Sequence, residues 1–516
     1  IGEAVSIYRS HAVARRDAFR PDLAMYLYTQ ANMLSDLGRR DEALAAVEEA
    51  VSIYRSNAET NPDAFLPDLA KSLNTQANML SNVGRRGEAL AAVEEAVSIQ
   101  RILTKAQRDT FLPALSGSLN NQARMLSNLG RLEEALAATE EAVSIHRSLA
   151  EARPKAFLHD LAISLNTQGK MLSDLGRRGE ALATTEEAVS IQRVLNKARS
   201  NAFLPHLSMS LNNQANQLSD LGRREEALAA IEEAVLIRRS LAEARPDVFL
   251  PDLSESLNNR ANQLSDLGRR EEALTAIEEA VLIRRSLADS RPEVFLPDLA
   301  MSLNNQANML SYLGRHQEAL TAIDEAVSIR RSLAEERPEA FLRYLAISLN
   351  NQANRLSELG RREEALMAIN EAVSIRRSLA NEHPDSFLPN LATSLNNQAN
   401  TLSYLGRHDE ALVAIAEAVL ICRNLAGERP DACLPDLAMS LNNQANILYG
   451  LRRLEEAVEA IEHAVSIYRN LGEAHREAFL PKLAISLNNM ATMLSDMGRR
   501  EEARAVRIEA ASLRLP

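Results

Sequence analysis

The side chain most regularly placed where it could do chemistry is asparagine. Asn121, Asn213, Asn259, Asn305, Asn351, Asn397, Asn443 and Asn489 form one row, and Asn32, Asn78, Asn216, Asn262, Asn308, Asn354, Asn400 and Asn446 a second, three residues further on. A carboxamide both donates and accepts, so such rows could pair with a peptide backbone whatever its sequence. Thr29, Thr75 and Thr167 interrupt the first row. Arg124 and Lys170 replace the second-row Asn in adjacent units, a basic spot suited to a carboxylate, and Thr492 ends that row. Recent duplication of one unit is the plain alternative, since it would copy every residue, used or not.

Other chemistry is thinly represented. Glu232 and Glu233 recur as a pair in most units, which reads as a solvated helix face rather than an acid–base couple. The nine histidines are scattered; His316 and His408 share a repeat position but lie two units apart, too far to share a metal. The sequence contains no phosphate loop, dinucleotide fingerprint, paired-His zinc helix or calcium loop. No catalytic residue, metal or cofactor is expected, and the chain reads as a non-enzyme.

Composition narrows the partners. A net charge of −12 repels nucleic-acid phosphates and anionic membranes, which leaves a protein or peptide. The two cysteines, Cys422 and Cys433, replace Arg and Phe of other units, which is drift rather than a disulfide framework and fits a reducing, cytoplasmic setting. No apolar run is long enough to span a membrane, and Ile1–Val5 is not a signal peptide but a copy of Val47–Val51. The sequence thus opens inside a repeat, and we read it as part of a longer protein.

The elements that must position these residues follow from the period. Phe19, Phe65, Phe111, Phe157, Phe203, Phe249, Phe295, Phe341, Phe387, Cys433 and Phe479 stand 46 residues apart without insertion. In the unit from Phe203 to Val248, Leu207, Leu211, Ala215 and Leu218 share one helical face, and Asn212, Asn213, Asn216 and Asp220 the opposite one. The first helix is predicted over roughly Pro205 to Leu221, with Pro205 in its first turn and Gly222 closing it. A second helix follows from Glu225 and Glu226 through Ile231, Ala234 and Val235, with Arg238, Arg239 and Arg245 complementing its carboxyl end. Pro246 stops it, and a short segment leads into the next hairpin.

Neither helix of such a hairpin can bury its apolar stripe alone, so neighbours must stack through small residues such as Ala215, Ala227 and Ala234. Residues 1–18 are expected to be a partial repeat with a second helix only, 19–478 ten tandem repeats, and 479–516 a final repeat. In that last unit Arg504 and Arg507 replace Leu and Ile, which would suit a polar cap. Arg452 stands where other units have the closing Gly, with Gly450 two residues earlier, so a remodelled turn is expected there.

From Leu211 to Leu218, and on through Gly222, Ala227, Ile231 and Ala234, the unit resembles the tetratricopeptide repeat, most closely the kinesin-light-chain-like subtype. Similar arrays stand beside nucleotide-binding or caspase-like modules in fungal and bacterial proteins. The period of 46 is longer than the common one, the first motif position holds Leu rather than Trp, and Gln30, Gln76, Gln122, Gln168, Gln214, Gln306, Gln352, Gln398 and Gln444 replace an aliphatic residue. These amides are expected to bond to neighbouring repeats or to face solvent.

The resemblance implies an all-α fold, a right-handed superhelical α-solenoid of helix–turn–helix repeats. It also implies a concave groove lined by first helices, with the first Asn row at the position that contacts peptide in related families. The leading expectation is a non-catalytic interaction scaffold holding an extended peptide or partner protein in an Asn-lined groove. The alternative is a ligand-sensing or autoinhibitory arm of a larger signalling protein, with a nucleotide-binding or caspase-like module upstream. Self-association through the end repeats is a further expectation.

Overall fold

The structure, a computed structural model, describes residues 16–198, 201–428, 430–474 and 476–513. Most of the partial repeat expected in residues 1–18 therefore lies outside the described residues. Two units of structure divide the chain, Ile1–Asn305 and Gln306–Pro516. The first holds α1 (Arg16–Asp36), α2 (Arg40–Thr60), α3 (Pro62–Asn82), α4 (Arg86–Ala106), α5 (Arg108–Asn128), α6 (Leu132–Ala152), α7 (Pro154–Asp174), α8 (Arg178–Ala198), α9 (Leu204–Asp220), α10 (Arg224–Ala244), α11 (Pro246–Asp266) and α12 (Arg270–Ser290). The unit boundary falls within α13 (Pro292–Tyr312). The second unit continues with α14 (His316–Glu336), α15 (Pro338–Glu358), α16 (Arg362–Glu382), α17 (Pro384–Tyr404), α18 (His408–Glu428), α19 (Pro430–Gly450), α20 (Leu454–Ala474), α21 (Arg476–Asp496) and α22 (Arg500–Ser512). Odd-numbered helices are the first of each hairpin and even-numbered helices the second. Among the described residues there is no strand.

The tight turn inside each hairpin follows from one left-handed residue. Gly222, at φ 75°, turns the chain so that its N–H reaches Ser219 O and the next N–H, of Arg223, reaches Leu218 O at 2.9 Å, satisfying carbonyls the helix end would orphan. Arg223 then donates from Nε and Nη2 to the two Glu226 carboxylate oxygens at 2.7 and 2.6 Å, and that hydrogen bonding lowers the Glu226 pKa. The remodelled turn expected at Arg452 does not occur. Arg452 adopts the left-handed conformation itself, φ 62°, and its neighbour Arg453 donates to Leu448 O at 3.0 Å as in the other turns.

The connection between hairpins differs from the expectation. Only Arg245 separates α10 from α11: Pro246 does not end a helix before a short segment but opens the next one, as its missing N–H allows. Pro251 consequently lies inside α11 rather than at its start. The exception is α9, whose first residue is Leu204. There the sequence reads Ser200-Asn201 in place of Pro246-Asp247, and Asn201 takes φ 67°.

Packing sets the inner and outer faces. Leu253, Leu257, Ala261 and Leu264 of α11 are buried, as are Ala273, Leu274, Ile277, Ala280 and Val281 of α12, and the two helices pack together. Within the first unit α3, α5, α7, α9 and α11 approach one another directly, and within the second so do α15, α17, α19 and α21. Among the described residues no neighbouring second helices come as close. Closer spacing of first helices puts them on the inside of the local bend. Second helices are instead spanned by long side chains: Arg147–Glu187 and Arg193–Glu233 in the first unit, Arg331–Glu371 and Arg377–Glu417 in the second. Glu233 is thereby tied to the preceding repeat.

Candidate functional site

Asn212 and Asn213 adjoin on α9 and differ in burial. Asn212, placed by sequence on the polar face, is buried, as are Asn258, Asn350 and Asn396 at the same repeat position. A residue one position along is turned by about 100°, enough to move from an open face to a helix–helix seam. In the first unit Asn258 Oδ1 accepts from Ser302 Oγ at 3.2 Å and from Asn305 Nδ2 at 3.1 Å. Asn121 donates likewise to Asn74 at 3.4 Å and Asn259 to Asn212 at 3.2 Å. In the second unit Asn397 donates to Asn350 at 3.0 Å, Asn443 to Asn396 at 3.2 Å and Asn489 to Asn442 at 3.3 Å.

The first Asn row is therefore half-buried, and where these bonds form its amide nitrogen is spent on the preceding repeat. Asn213 is different: the Asn166 Oδ1 that it would reach is buried without a partner. The second row looks outward from the inner face. Asn216, Asn262 and Asn446 are exposed, and Asn308, Asn354 and Asn400 half-buried. One helical turn before the first row stand Met209, Met301, Ile347, Met439 and Ile485, all exposed. Several first helices thus carry an exposed apolar group beside their carboxamides, whereas Lys71, Gly117, Glu255 and Thr393 hold the same place on others. The periodic Met and Ile are visible in the sequence, but their spacing alone does not separate them from core residues.

The basic spot is present in part. Arg124 Nη2 donates to Asn78 Oδ1 at 2.6 Å, and although the side chain is reached by solvent, the protein around it lowers its pKa by desolvation. Lys170 is exposed on the next first helix.

Arg238 and Arg239, both expected to serve the helix end, part company. Arg239 is exposed and meets Glu279 at 2.8 Å. Arg238 is buried, with Nη1 donating to Asp252 O at 2.6 Å, Ser256 Oγ at 2.8 Å and Glu255 Oε2 at 3.0 Å. Arg284 repeats the arrangement on Asp298 O and Ser302 Oγ. In the second unit Arg330 and Arg376 are met by the carbonyls of Tyr344 and Asn390 and the hydroxyls of Ser348 and Ser394, and burial pushes both guanidinium groups down to about 10, still charged at neutral pH. Elsewhere Tyr54, Gln100, His146, Gln192, Cys422 and Tyr468 fill the same place. It is a polar plug between hairpins.

Two members of the Gln row bond to the second helix of the preceding hairpin, Gln352 to Asp324 at 2.8 Å and Gln398 to Asn370 at 2.7 Å. Arg504 and Arg507 are exposed on α22. Neither cysteine forms a disulfide. Among the described residues no three His, Cys, Asp or Glu side chains are grouped to hold a metal, and no helix is long and apolar enough to cross a membrane. The arrangement places polar plugs between hairpins and leaves carboxamides exposed on first helices.

Comparison with known proteins gives the same picture of the repeat. A family model described as tetratricopeptide repeat matches residues 23–58, 115–153, 207–246, 253–290, 391–431, 437–476 and 483–514, together more than half of the chain. Another of the same description matches 298–378, and a model described as anaphase-promoting complex subunit 5 matches 68–105. No curated protein matches. Among solved structures, BtubC (BKLC) from P. vanneervenii is 20% identical over 49% of this chain and 94% of its own, with a TM-score of 0.41. The nearly identical TPR-like repeats of a Podosopora anserina putative kinesin light chain are 23% identical over 43% of this chain and 96% of theirs, with a TM-score of 0.33. A substituted form of those repeats is 20% identical over 43% of this chain and 98% of its own, with a TM-score of 0.35.

Proposed function

The chain belongs to the tetratricopeptide repeat family, whose repeats serve protein–protein interaction, and from that premise we propose that it is a scaffold holding an extended peptide along the inner faces of its first helices. The observation that carries this reading is the exposure on those faces of carboxamides at Asn216 and Asn262 and of thioether groups at Met209 and Met301, with Glu255 at the same place on the helix between. Carboxamides match a peptide backbone of any sequence, and Met adapts to varied side chains. First helices packed about 10 Å apart would present one carboxamide to roughly every third residue of a strand rising about 3.3 Å per residue.

In this reading the second row supplies the peptide contacts, because the first row already braces the repeats. Within the first unit Arg124 and Lys170 would take an acidic side chain or a terminal carboxylate. A cytoplasmic partner fits two cysteines that form no disulfide. Affinity capture with the intact array and with Asn216→Ala/Asn262→Ala tests the proposal. The variant should lose a partner that the intact array retains while keeping the same thermal transition; equal capture by both would remove the inner face as the binding surface.

A further inference from the structure

We propose that the junction between α8 and α9 is an acid-responsive joint, closed while His159 and His206 are neutral and opened when they take up protons. The two imidazoles come from adjacent first helices, α7 and α9, and stack edge to face with ring centroids 4.3 Å apart; Phe203 packs on His159 at 4.8 Å. The Nδ1 atom of each ring is buried with no hydrogen-bond partner. A proton added to either ring would place charge against its neighbour without an acceptor to take it. No other pair of repeats has histidine at both places: Pro251 and Asp252 stand there in α11.

The joint also departs in backbone from the other junctions of the first unit. Asn201 is left-handed at φ 67°, and α9 starts at Leu204. The Asn166 Oδ1, Thr185 Oγ1 and Gln192 Nε2 atoms are buried there without partners. An open cleft of about 400 Å³, bounded by Glu186, Arg193 and Lys197 of α8 and Gln214 of α9, lies alongside. Such a site opens at lower cost than a fully satisfied one.

The charged neighbours do not rescue a protonated ring. On α7 Asp160 follows His159 and Lys155 precedes it, with Arg153 just before the helix; α6 adds Glu151 and α8 Arg193 and Lys197. Arg193 pairs with Glu233 of α10 at 2.6 Å. Arg238 of α10 reaches Ser208, beside His206, at 3.4 Å and is itself held by Asp252 O and Glu255 of α11. Among the described residues no carboxylate hydrogen-bonds to the buried Nδ1 of either imidazole. Burial lowers the pKa of His159, and burial followed by His159 lowers that of His206.

A third histidine belongs to the preceding junction, between α5 and α7. His146 Nε2 lies 2.6 Å from Ser116 Oγ and its Nδ1 2.7 Å from Ser164 Oγ. Ser116 gives its own proton to Pro113 O at 3.0 Å, so Nε2 donates to Ser116 and Nδ1 accepts from Ser164. Protonation would turn that acceptor into a donor, and burial lowers the His146 pKa. Folded pKa values depressed below the ordinary value of about 6.5 give stability that is full above 6.5 and is lost as pH falls below it, because the opened joint binds the extra protons.

Hydrogen exchange of the full array at pH 7.5 and 5.5, divided by intrinsic rates, tests the inference. Amides of residues 203–213 should open more often at pH 5.5, by up to roughly tenfold for each histidine, while residues 249–259 at the next junction change little. His159→Pro with His206→Asn installs residues the chain itself uses at Pro205 and Asn390, and should abolish the difference; His206→Asn alone should shrink it, and exposed His383→Arg should leave it intact. Equal opening of the two junctions at pH 5.5, or an undiminished difference in the His206→Asn variant, would overturn the proposal.

Discussion

The carboxamides of Asn258 and Asn305 are joined at 3.1 Å across two first helices, and the acceptor oxygen of Asn258 is shared with the Ser302 hydroxyl. Removing that oxygen orphans both donors in a buried seam. Asn258→Ala should therefore cost about 1–3 kcal/mol, whereas Asn262→Ala, one turn along on the open face, should stay within about 0.5 kcal/mol. Urea titration of the two variants checks the contrast.

Arg376 should be more sensitive to truncation than to substitution. Its Nη1 holds both Asn390 O and Ser394 Oγ at 2.6 Å. Arg376→Ala leaves those oxygens bare beside a cavity and should cost about 2–4 kcal/mol. Arg376→Gln, the type found at Gln100 and Gln192, should cost less than half as much in the same titration.

Arg452→Gly should raise stability by about 1 kcal/mol, since it relieves a non-glycine residue at φ 62°. A rise in the unfolding midpoint without a change in slope would show it.

Leu257 is fully buried at the centre of α11. Leu257→Ala should cost about 2–5 kcal/mol, and hydrogen exchange should report the loss chiefly in α9 to α12, because each hairpin leans only on its neighbours.

Much of this molecule was legible in its sequence, for a physical reason: a 46-residue period with helical spacing leaves stacked hairpins as the way to cover Leu211 and Leu218. What escaped lies below the resolution of periodicity. Asn212 and Asn213 are the same residue type one step apart, yet one fills a seam and the other borders the open face; Arg238 and Arg239 divide between interior and solvent in the same manner. Among the described residues, the stretch Phe203 to Val248 holds the one first helix that begins late. His159 and His206 looked scattered because their contact arises only when repeats stack.

The central claim is that the inner faces hold a peptide by its backbone through the second Asn row. A peptide selected on the intact array, with its Kd measured by calorimetry against wild type, Asn216→Ala/Asn262→Ala and Asn354→Ala/Asn400→Ala/Asn446→Ala, is the most direct test, repeated with the peptide N-methylated along its backbone. The account predicts at least roughly tenfold weaker binding, about 1.4 kcal/mol, by one of the two variants and by the methylated peptide. Unchanged affinity in all three measurements would contradict it.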